Sequence, residues 1–258
     1  MSIRAININD VIFEQLYKKD VALIGGAPSA DLFEAEKADF IVYVNNHWLK
    51  YHGRIDAAYM CSAELPSFPV EELLFLAFAR TGGHGKEIES ICKDKNVPYL
   101  KFAQGMYKGA NPYGPECEWI NSFSWELGTH PFTGAIAMKH LLSFPIKSLY
   151  VTGFTFWEKD GVVPRLREPH LVVPNMEYFI RTYETNQVVE FDANLLDVLS
   201  RWKNGEIKVD NQGVEEIHLA TFKTVLEAAS TSELPKRKPP AQVIKPNGIE
   251  SKTEFGRF

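Results

Sequence analysis

Short apolar runs alternate with longer amphipathic segments along the first 200 residues of the chain. The runs that predict strands, because they are rich in β-branched and aromatic residues, are 21–24, 40–44, 98–102, 148–152 and 188–191. The segments that predict helices are 86–94, 134–142, 175–185 and 193–202. Strands separated by helices predict an α/β domain whose sheet is mostly parallel, with helices on both faces.

Several predicted strands end in glycine or asparagine, at the edge of a parallel sheet where ligands bind. Gly25 and Gly26 follow the first strand, and Ser29 stands just beyond them. This sequence predicts either a tight turn whose next helix is capped by Ser29, or a backbone that approaches a bound ligand closely. Asn45 and Asn46 close the second strand, where their amides can form a turn or bind a base or a sugar.

A second group of candidate residues surrounds the strand at 148–152. Thr133 and Gly134 stand at the predicted start of a helix, where free backbone N–H groups and a hydroxyl suit either ordinary capping or an anion or ribose. Gly153 and Phe154 end the strand itself. All four are therefore candidate ligand-binding residues.

The loop of residues 158–169 is rich in glycine, proline and arginine, which predicts a lid over a substrate. Arg165 and Arg167 would supply fixed cations for a phosphate. His170 follows the loop, where a neutral imidazole could act as a general base.

Composition narrows the classes of protein that the chain can be. The net charge of −5 argues against a nucleic-acid binder, and 45% hydrophobic residues predict a folded chain. Three cysteines without a Cys-x-x-Cys spacing predict neither a disulfide framework nor a structural zinc site. The longest apolar run, residues 73–79, is too short to span a membrane, and the N-terminus has no apolar signal core, so we expect a cytoplasmic protein.

The composition changes near residue 231. Residues 231–258 hold four prolines and six basic against three acidic residues, which predicts an extended basic tail. The tail is either a solvated appendage or an anchor for a membrane surface or a partner. Residues 1–230, which carry a net charge of −8, form the predicted catalytic domain. The sequence carries no signal for the oligomeric state.

Three segments together resemble the sialyltransferases. The stretch 21–46, VALIGGAPSADLFEAEKADFIVYVNN, resembles their L motif. PFTGAIAMKHL at 131–141 with IKSLYVTGF at 146–154 resembles the S motif, and His170 with Glu177 resembles the VS motif. The three motifs occur in the same order as in the sialyltransferases, and the resemblance spans about residues 20–190. The bacterial single-domain sialyltransferases are similar too, since their chains also end in an aromatic-Gly-basic-Phe sequence like 255–258.

The resemblance implies a single nucleotide-binding domain with a Rossmann-like fold and a lid loop. It also implies a transferase that takes sialic acid, or a related acidic sugar such as Kdo, from a CMP-sugar to a glycan hydroxyl with inversion. Gly25, Gly26, Ser29, Asn45 or Asn46, Thr133, Gly134, Gly153 and Phe154 would hold the nucleotide. His170 would be the base. Because a monophosphate donor needs no metal clamp, and the chain contains no Asp-x-Asp triplet, we expect neither a metal nor a cofactor.

The chain departs from the family at three points. No lid tyrosine stands between Trp157 and His170, so we assign the stabilisation of the leaving phosphate to Arg165 or Arg167. Glu177 stands seven residues after His170 instead of five. The segment 131–154 contains no cysteine, unlike the secreted animal enzymes, which favours a bacterial or phage relative.

Two other functions fit parts of the pattern. A pterin diphosphokinase-like enzyme would share the strand and the Gly-x-x-Pro-Ser turn, but it would need ATP, Mg²⁺ and clustered carboxylates, for which Asp56, Glu64 and Glu116 are the candidates. A non-catalytic nucleotide-binding protein would not need His170. Under the sialyltransferase hypothesis, an acceptor sugar would stack on an aromatic side chain of the predicted loop 105–125, with Tyr113, Trp119 and Trp125 as candidates. The alternative is that these aromatic side chains form the core of the loop itself.

Overall fold

The computed structural model describes residues 8–45, 54–61, 72–79, 82–102, 118–163 and 171–210. All of them belong to one compact unit, residues 1–213. The predicted basic tail at 231–258, and the predicted end of the catalytic domain at residue 230, lie outside the described residues.

Seven parallel strands form the central sheet. They are β1 (Asp20–Ile24), β2 (Phe40–Val44), β3 (Ala57–Met60), β4 (Phe75–Ala79), β5 (Tyr99–Phe102), β6 (Ser148–Thr152) and β8 (Val189–Phe191). Their order across the sheet is β5-β4-β3-β2-β1-β6-β8. Two short strands, β7 (Val162–Val163) and β9 (Lys208–Val209), pair in parallel as a separate small sheet.

Six α-helices accompany the strands in the described part of the chain. They are α1 (Ile8–Leu16), α2 (Gly82–Asp94), α3 (Glu118–Leu127), α4 (Thr133–Leu141), α5 (Val172–Thr185) and α6 (Ala193–Lys203). Two 3₁₀ turns, Pro28–Leu32 and Ala35–Lys37, take the place of a helix between β1 and β2. Of these described helices, none combines the length and the apolarity that crossing a membrane requires.

The sheet is buried on both faces, which explains why its strands are almost continuously apolar. On one face, alternate residues such as Leu23 and Val42 pack with α1, α3, α4, α5 and α6. On the other face, Ile24 and Tyr43 pack with α2 and with the 3₁₀ segment. A parallel sheet needs this double cover because its crossover connections lie on its faces.

The predicted α/β class, with a parallel sheet and helices on both faces, is confirmed. The five predicted strands are present within a residue of their expected bounds. Two strands, β3 and β4, were not predicted from the sequence. The run at β3 is only four residues long and half alanine, and β4 lies in the apolar segment 73–79, which we considered only as a membrane span.

Candidate functional site

The strand order reverses between β1 and β6, and a cavity lies at that point. From β1 the chain proceeds through β2 to β5 on one side, whereas β6 and β8 lie on the other. Connections that leave in opposite directions open a crevice at the carboxyl ends of the two central strands. The crevice here is a cavity of about 700 Å³.

Seven of the residues predicted to bind a nucleotide line this cavity. They come from four separate segments of the sequence: Gly25, Gly26, Asn45, Thr133, Gly134, Gly153 and Phe154. Among the described residues that line the cavity, none carries a charged side chain. Polarity is therefore supplied there by backbone amides, by Asn45 and by the hydroxyls of Thr133 and Thr155.

Gly25 and Gly153 bring the ends of β1 and β6 into direct backbone contact. The Gly25 N–H donates to the Thr152 carbonyl oxygen at 2.8 Å, and the Ala27 N–H donates to the Gly153 carbonyl oxygen at 2.9 Å. A Cβ on Gly25 would lie 2.3 Å from that same Gly153 oxygen, and Gly153 has a φ of +77°. Both glycines are therefore required by the packing of the two strand ends, in addition to lining the cavity.

The Asp192 side chain stabilises this junction, the contact between the ends of β1 and β6, by hydrogen bonds to the end of β6. It follows β8 directly and is 7% exposed. One carboxylate oxygen accepts hydrogen bonds from the Thr152 hydroxyl at 2.6 Å and from the Gly153 N–H at 3.0 Å. The other accepts from the Leu195 N–H at 2.6 Å and so caps α6. One buried carboxylate therefore fixes the end of β6 and the start of a helix together.

The N-terminus of α4 opens into the cavity without a side-chain cap. Phe132 is the N-cap residue and makes no capping hydrogen bond, while Thr133 and Gly134 form the first turn and line the cavity. Thr133 is 4% exposed. A Cβ on Gly134 would lie 2.4 Å from Cε1 of Phe154, so glycine lets the Phe154 ring pack against the helix start. Uncapped backbone N–H groups at such a position suit an anion.

Ser29 does not cap a helix, contrary to the simpler of its two predicted roles. It lies within the 3₁₀ turn Pro28–Leu32, whose N-cap is Ala27. Its hydroxyl is buried and has no hydrogen-bond partner among the described residues. Its neighbours Ala27 and Pro28 line the cavity, whereas Ser29 itself is not part of the lining.

Asn45 joins the ends of β2 and β3. Its side-chain oxygen accepts hydrogen bonds from the Cys61 N–H at 3.0 Å and from the Cys61 thiol at 3.1 Å. Its φ of +56° is a conformation that asparagine tolerates better than most residues. Asn45 and Cys61 both line the cavity.

A fully buried amide, which the sequence analysis did not single out, ties α5 to the start of α4. The Asn175 side chain accepts a hydrogen bond from the Phe132 N–H at 2.8 Å and donates one to the Leu171 carbonyl oxygen at 2.8 Å. The Leu171 N–H in turn donates to the Thr129 hydroxyl at 2.9 Å. Leu171 directly follows His170 in the sequence, so the chain that leaves the predicted lid is anchored beside the cavity wall.

Aromatic side chains form one wall of the cavity. Phe132, Phe154, Phe156, Trp157 and Phe179 all line it. Phe156 is buried and packs edge-on against Phe179, with ring centroids 5.1 Å apart. Trp157 is 59% exposed and makes an edge contact with Phe132 at 5.6 Å.

The first part of the predicted lid is held by hydrogen bonds. Glu158 accepts from the Gly161 N–H at 2.6 Å and forms an ion pair with Arg201 at 3.0 Å. The Lys208 N–H donates to the Gly161 carbonyl oxygen, and β7 pairs with β9. Residues 158–163 are therefore fixed to α6 and β9, and the remainder of the predicted lid, 164–169, lies outside the described residues.

The other predicted site residues are only partly covered by the structure. Trp125 lies in α3, half-buried and not part of the cavity lining. Trp119 also lies in α3, but its side chain is outside the described residues, as are Asn46, Tyr113, Arg165, Arg167 and His170. Asp56, a candidate for the rival diphosphokinase, precedes β3 and bonds the Ile41 N–H and Arg54 at the opposite edge of the sheet from the cavity. Glu64 and Glu116 lie outside the described residues.

Comparison with known proteins adds no relative. No protein-family model, no curated protein and no solved structure matches the chain. We therefore infer the function from the sequence motifs and from the geometry of the cavity.

Proposed function

We propose that the chain is a glycosyltransferase, similar to sialyltransferases, that transfers sialic acid or a related acidic sugar from a CMP-sugar to a glycan hydroxyl. The observation that carries the proposal is the convergence of two motifs. Gly25, Gly26 and Asn45 belong to the segment that resembles the L motif, and Thr133, Gly134 and Gly153 belong to the one that resembles the S motif. Although the segments are about 100 residues apart, these six residues line one cavity.

The chemistry of the cavity suits a nucleotide monophosphate. The uncapped first turn of α4 offers backbone N–H groups and the positive end of a helix dipole to the phosphate. Among the described residues of the lining, no carboxylate would repel that phosphate. The aromatic wall offers flat apolar surface to the base and the sugars. Arg165 and Arg167 would add the cations that the −8 charge of residues 1–230 makes necessary.

The reaction is a displacement with inversion at the anomeric carbon. His170 takes the proton from the acceptor hydroxyl, whose oxygen then forms a bond to the anomeric carbon. The bond between that carbon and the phosphate oxygen breaks, and CMP leaves with the electron pair. Negative charge grows on the phosphate as it leaves, so donors already aimed at it lower the barrier. The bonds from Leu171 to Thr129 and to Asn175 support this role, because they anchor the chain next to His170.

The test is the release of CMP from CMP-sialic acid, measured by chromatography. We expect turnover by the purified chain, without loss of activity in EDTA. His170→Ala should abolish turnover and leave CMP binding unchanged, because the base contacts the acceptor and not the nucleotide.

His218→Ala is the matched control, since His218 lies outside the segments that resemble the family, and it should keep full activity. Retained turnover in His170→Ala would remove that residue from the base role. A strict requirement for a metal, or binding of ATP–Mg²⁺ without binding of CMP, would contradict the proposal as a whole and favour the diphosphokinase.

A further inference from the structure

Trp157 stands in a conformation that its own packing does not explain. Phe156 and Trp157 are consecutive residues with φ values of +51° and +56°. Such a conformation costs about 1–2 kcal/mol for a residue with a side chain, and bulky residues adopt it rarely. For Phe156 the compensation is burial, since its ring is 5% exposed and packs on Phe179. Trp157 has no such compensation, because 59% of it remains exposed.

The surrounding hydrogen bonds hold this turn in place. The Glu158 N–H donates to the Thr155 carbonyl oxygen at 2.9 Å, and the Glu158 carboxylate binds Gly161 and Arg201. A strained conformation that its surroundings enforce is a feature of ligand sites, where it aims a side chain at the ligand. The consequence here is that the largest aromatic side chain of the cavity wall lines the cavity and yet remains largely exposed.

Trp157 lines the same cavity as the start of α4. Its ring makes an edge contact with that of Phe132, the N-cap of α4, with ring centroids 5.6 Å apart. Thr133 and Gly134, from the first turn of α4, line the cavity together with Trp157. A nucleoside monophosphate joins a flat base to a phosphate through one ribose. The cavity therefore offers both groups a partner: an exposed indole for the base and uncapped N–H groups for the phosphate.

We propose that Trp157 is the residue on which the nucleobase stacks, an assignment that rests on the proposed function and deepens it. Stacking on an aromatic side chain is favourable for every base, since each has a π face. Trp157 thus supplies affinity for a nucleoside monophosphate, and the discrimination between bases lies elsewhere in the site.

The experiment titrates CMP and ribose 5-phosphate by calorimetry into the wild type and into Trp157→Ala, Trp157→Phe and Tyr183→Ala. Loss of the stacking ring should weaken CMP binding by about 5- to 150-fold in the alanine variant. The phenylalanine variant keeps a flat ring and should stay within about fivefold of the wild type. Ribose 5-phosphate, which has no base, should bind the wild type and Trp157→Ala equally. Tyr183 is also exposed, at 41%, and does not line the cavity, so its variant should match the wild type.

A fluorescence titration keeps the test decisive if Trp157→Ala does not fold. Stacking of a base quenches indole emission, so CMP should quench the wild type and should leave Trp157→Phe unquenched, although that variant retains the other four of the chain's five tryptophans.

The outcomes separate the two proposals. A wild type that binds no CMP would contradict the proposed function itself. CMP that binds the wild type and Trp157→Ala equally tightly would overturn only the stacking role. An equal loss of ribose 5-phosphate binding would also overturn it, because Trp157 would then support the site without contacting the base.

Discussion

The removal of Asp192 should destabilise the protein far more than a typical single substitution. Its carboxylate accepts three hydrogen bonds within 3.0 Å, from Thr152, Gly153 and Leu195. Loss of the helix cap costs about 1 kcal/mol. Each bond to a charged acceptor adds about 1.5–3 kcal/mol. The terms are not additive, because the Thr152 hydroxyl keeps a weaker bond to the Ser29 carbonyl oxygen at 3.4 Å and a buried charge is removed.

We expect the free energy of unfolding of Asp192→Ala to fall by roughly 3–5 kcal/mol, measured by urea denaturation at pH 7.5. For Asp192→Asn, the free energy of unfolding should fall by about half as much. Its amide oxygen still accepts hydrogen bonds, whereas its NH₂ group faces a donor where the carboxylate had an acceptor. Asp197→Ala is the matched control on the same helix. Asp197 is 62% exposed, and among the described residues it pairs with Arg201 alone, so its removal should cost less than about 1 kcal/mol.

If the free energies of unfolding of Asp192→Ala and Asp197→Ala differ by less than about 1 kcal/mol, the Asp192 hydrogen bonds do not hold the end of β6 as described. If Asp192→Asn is as unstable as Asp192→Ala, a single retained acceptor contributes nothing, which also contradicts this role of Asp192. In the double variant Thr152→Val/Asp192→Ala, the cost of losing Thr152 should be smaller than in the wild type, since the two groups bond each other.

Substitutions at Gly134, His140 and Trp157 test three further features of the structure. Gly134→Ala should destabilise by about 1–3 kcal/mol in urea, because its Cβ meets the Phe154 ring, and Phe154→Leu in the same chain should restore part of the loss. Burial lowers the pKa of His140 to about 3 from its ordinary value of 6.5. Its contribution to stability is therefore complete above pH 6.5 and is lost as the pH falls toward 3. Between pH 7.5 and pH 5 the wild type should lose about 2 kcal/mol more than His140→Asn in urea titrations. Trp157→Gly should raise the melting temperature, measured by calorimetry, because glycine adopts a φ of +56° without strain, and it should weaken CMP binding.

Each of these has an outcome that contradicts it. If Gly134→Ala has the same free energy of unfolding as the wild type, the Phe154 ring moves aside freely. If Phe154→Leu restores none of the lost stability, the added Cβ clashes with a different group. If His140→Asn loses as much stability as the wild type between pH 7.5 and pH 5, other groups dominate the acid response. A lower melting temperature for Trp157→Gly would show that the ring contributes more to stability than its strained backbone costs.

Five of the seven described strands of the central sheet, and the predicted segments that line the cavity, were predictable because each has a local signal. The run 21–24 is apolar and β-rich and ends at two glycines, and the helix after Pro131 begins at Thr133 within a residue of its predicted start. Local propensity and turn chemistry decide such features. The resemblance added the expectation that the segments belong to one site, which spacing alone does not provide.

The contacts that shape the site were not predictable, because they join residues far apart in the chain. Asp192 and Gly153 are 39 residues apart, and Asn175 and Phe132 are 43 apart. Asp192 looks in the sequence like an ordinary helix cap after a strand, and Asn175 looks like any polar residue of an amphipathic helix. Their partners depend on the strand order across the sheet, which follows from tertiary packing and leaves no local pattern.

Protection of Cys61 from alkylation tests the central claim most directly, because it reports both the ligand and its location. Cys61 lines the cavity and is partly exposed, whereas Cys92 is fully buried and serves as an internal control. The rate of iodoacetamide labelling is measured for each cysteine peptide by mass spectrometry, with CMP, with ATP–Mg²⁺ and without ligand. A nucleotide-sugar site in the cavity predicts that saturating CMP slows the labelling of Cys61 at least tenfold and that ATP–Mg²⁺ does not. Two results would contradict a nucleotide-sugar site in the cavity. One is an unchanged labelling rate of Cys61 at a CMP concentration that calorimetry shows to be saturating. The other is protection of Cys61 by ATP–Mg²⁺ and not by CMP.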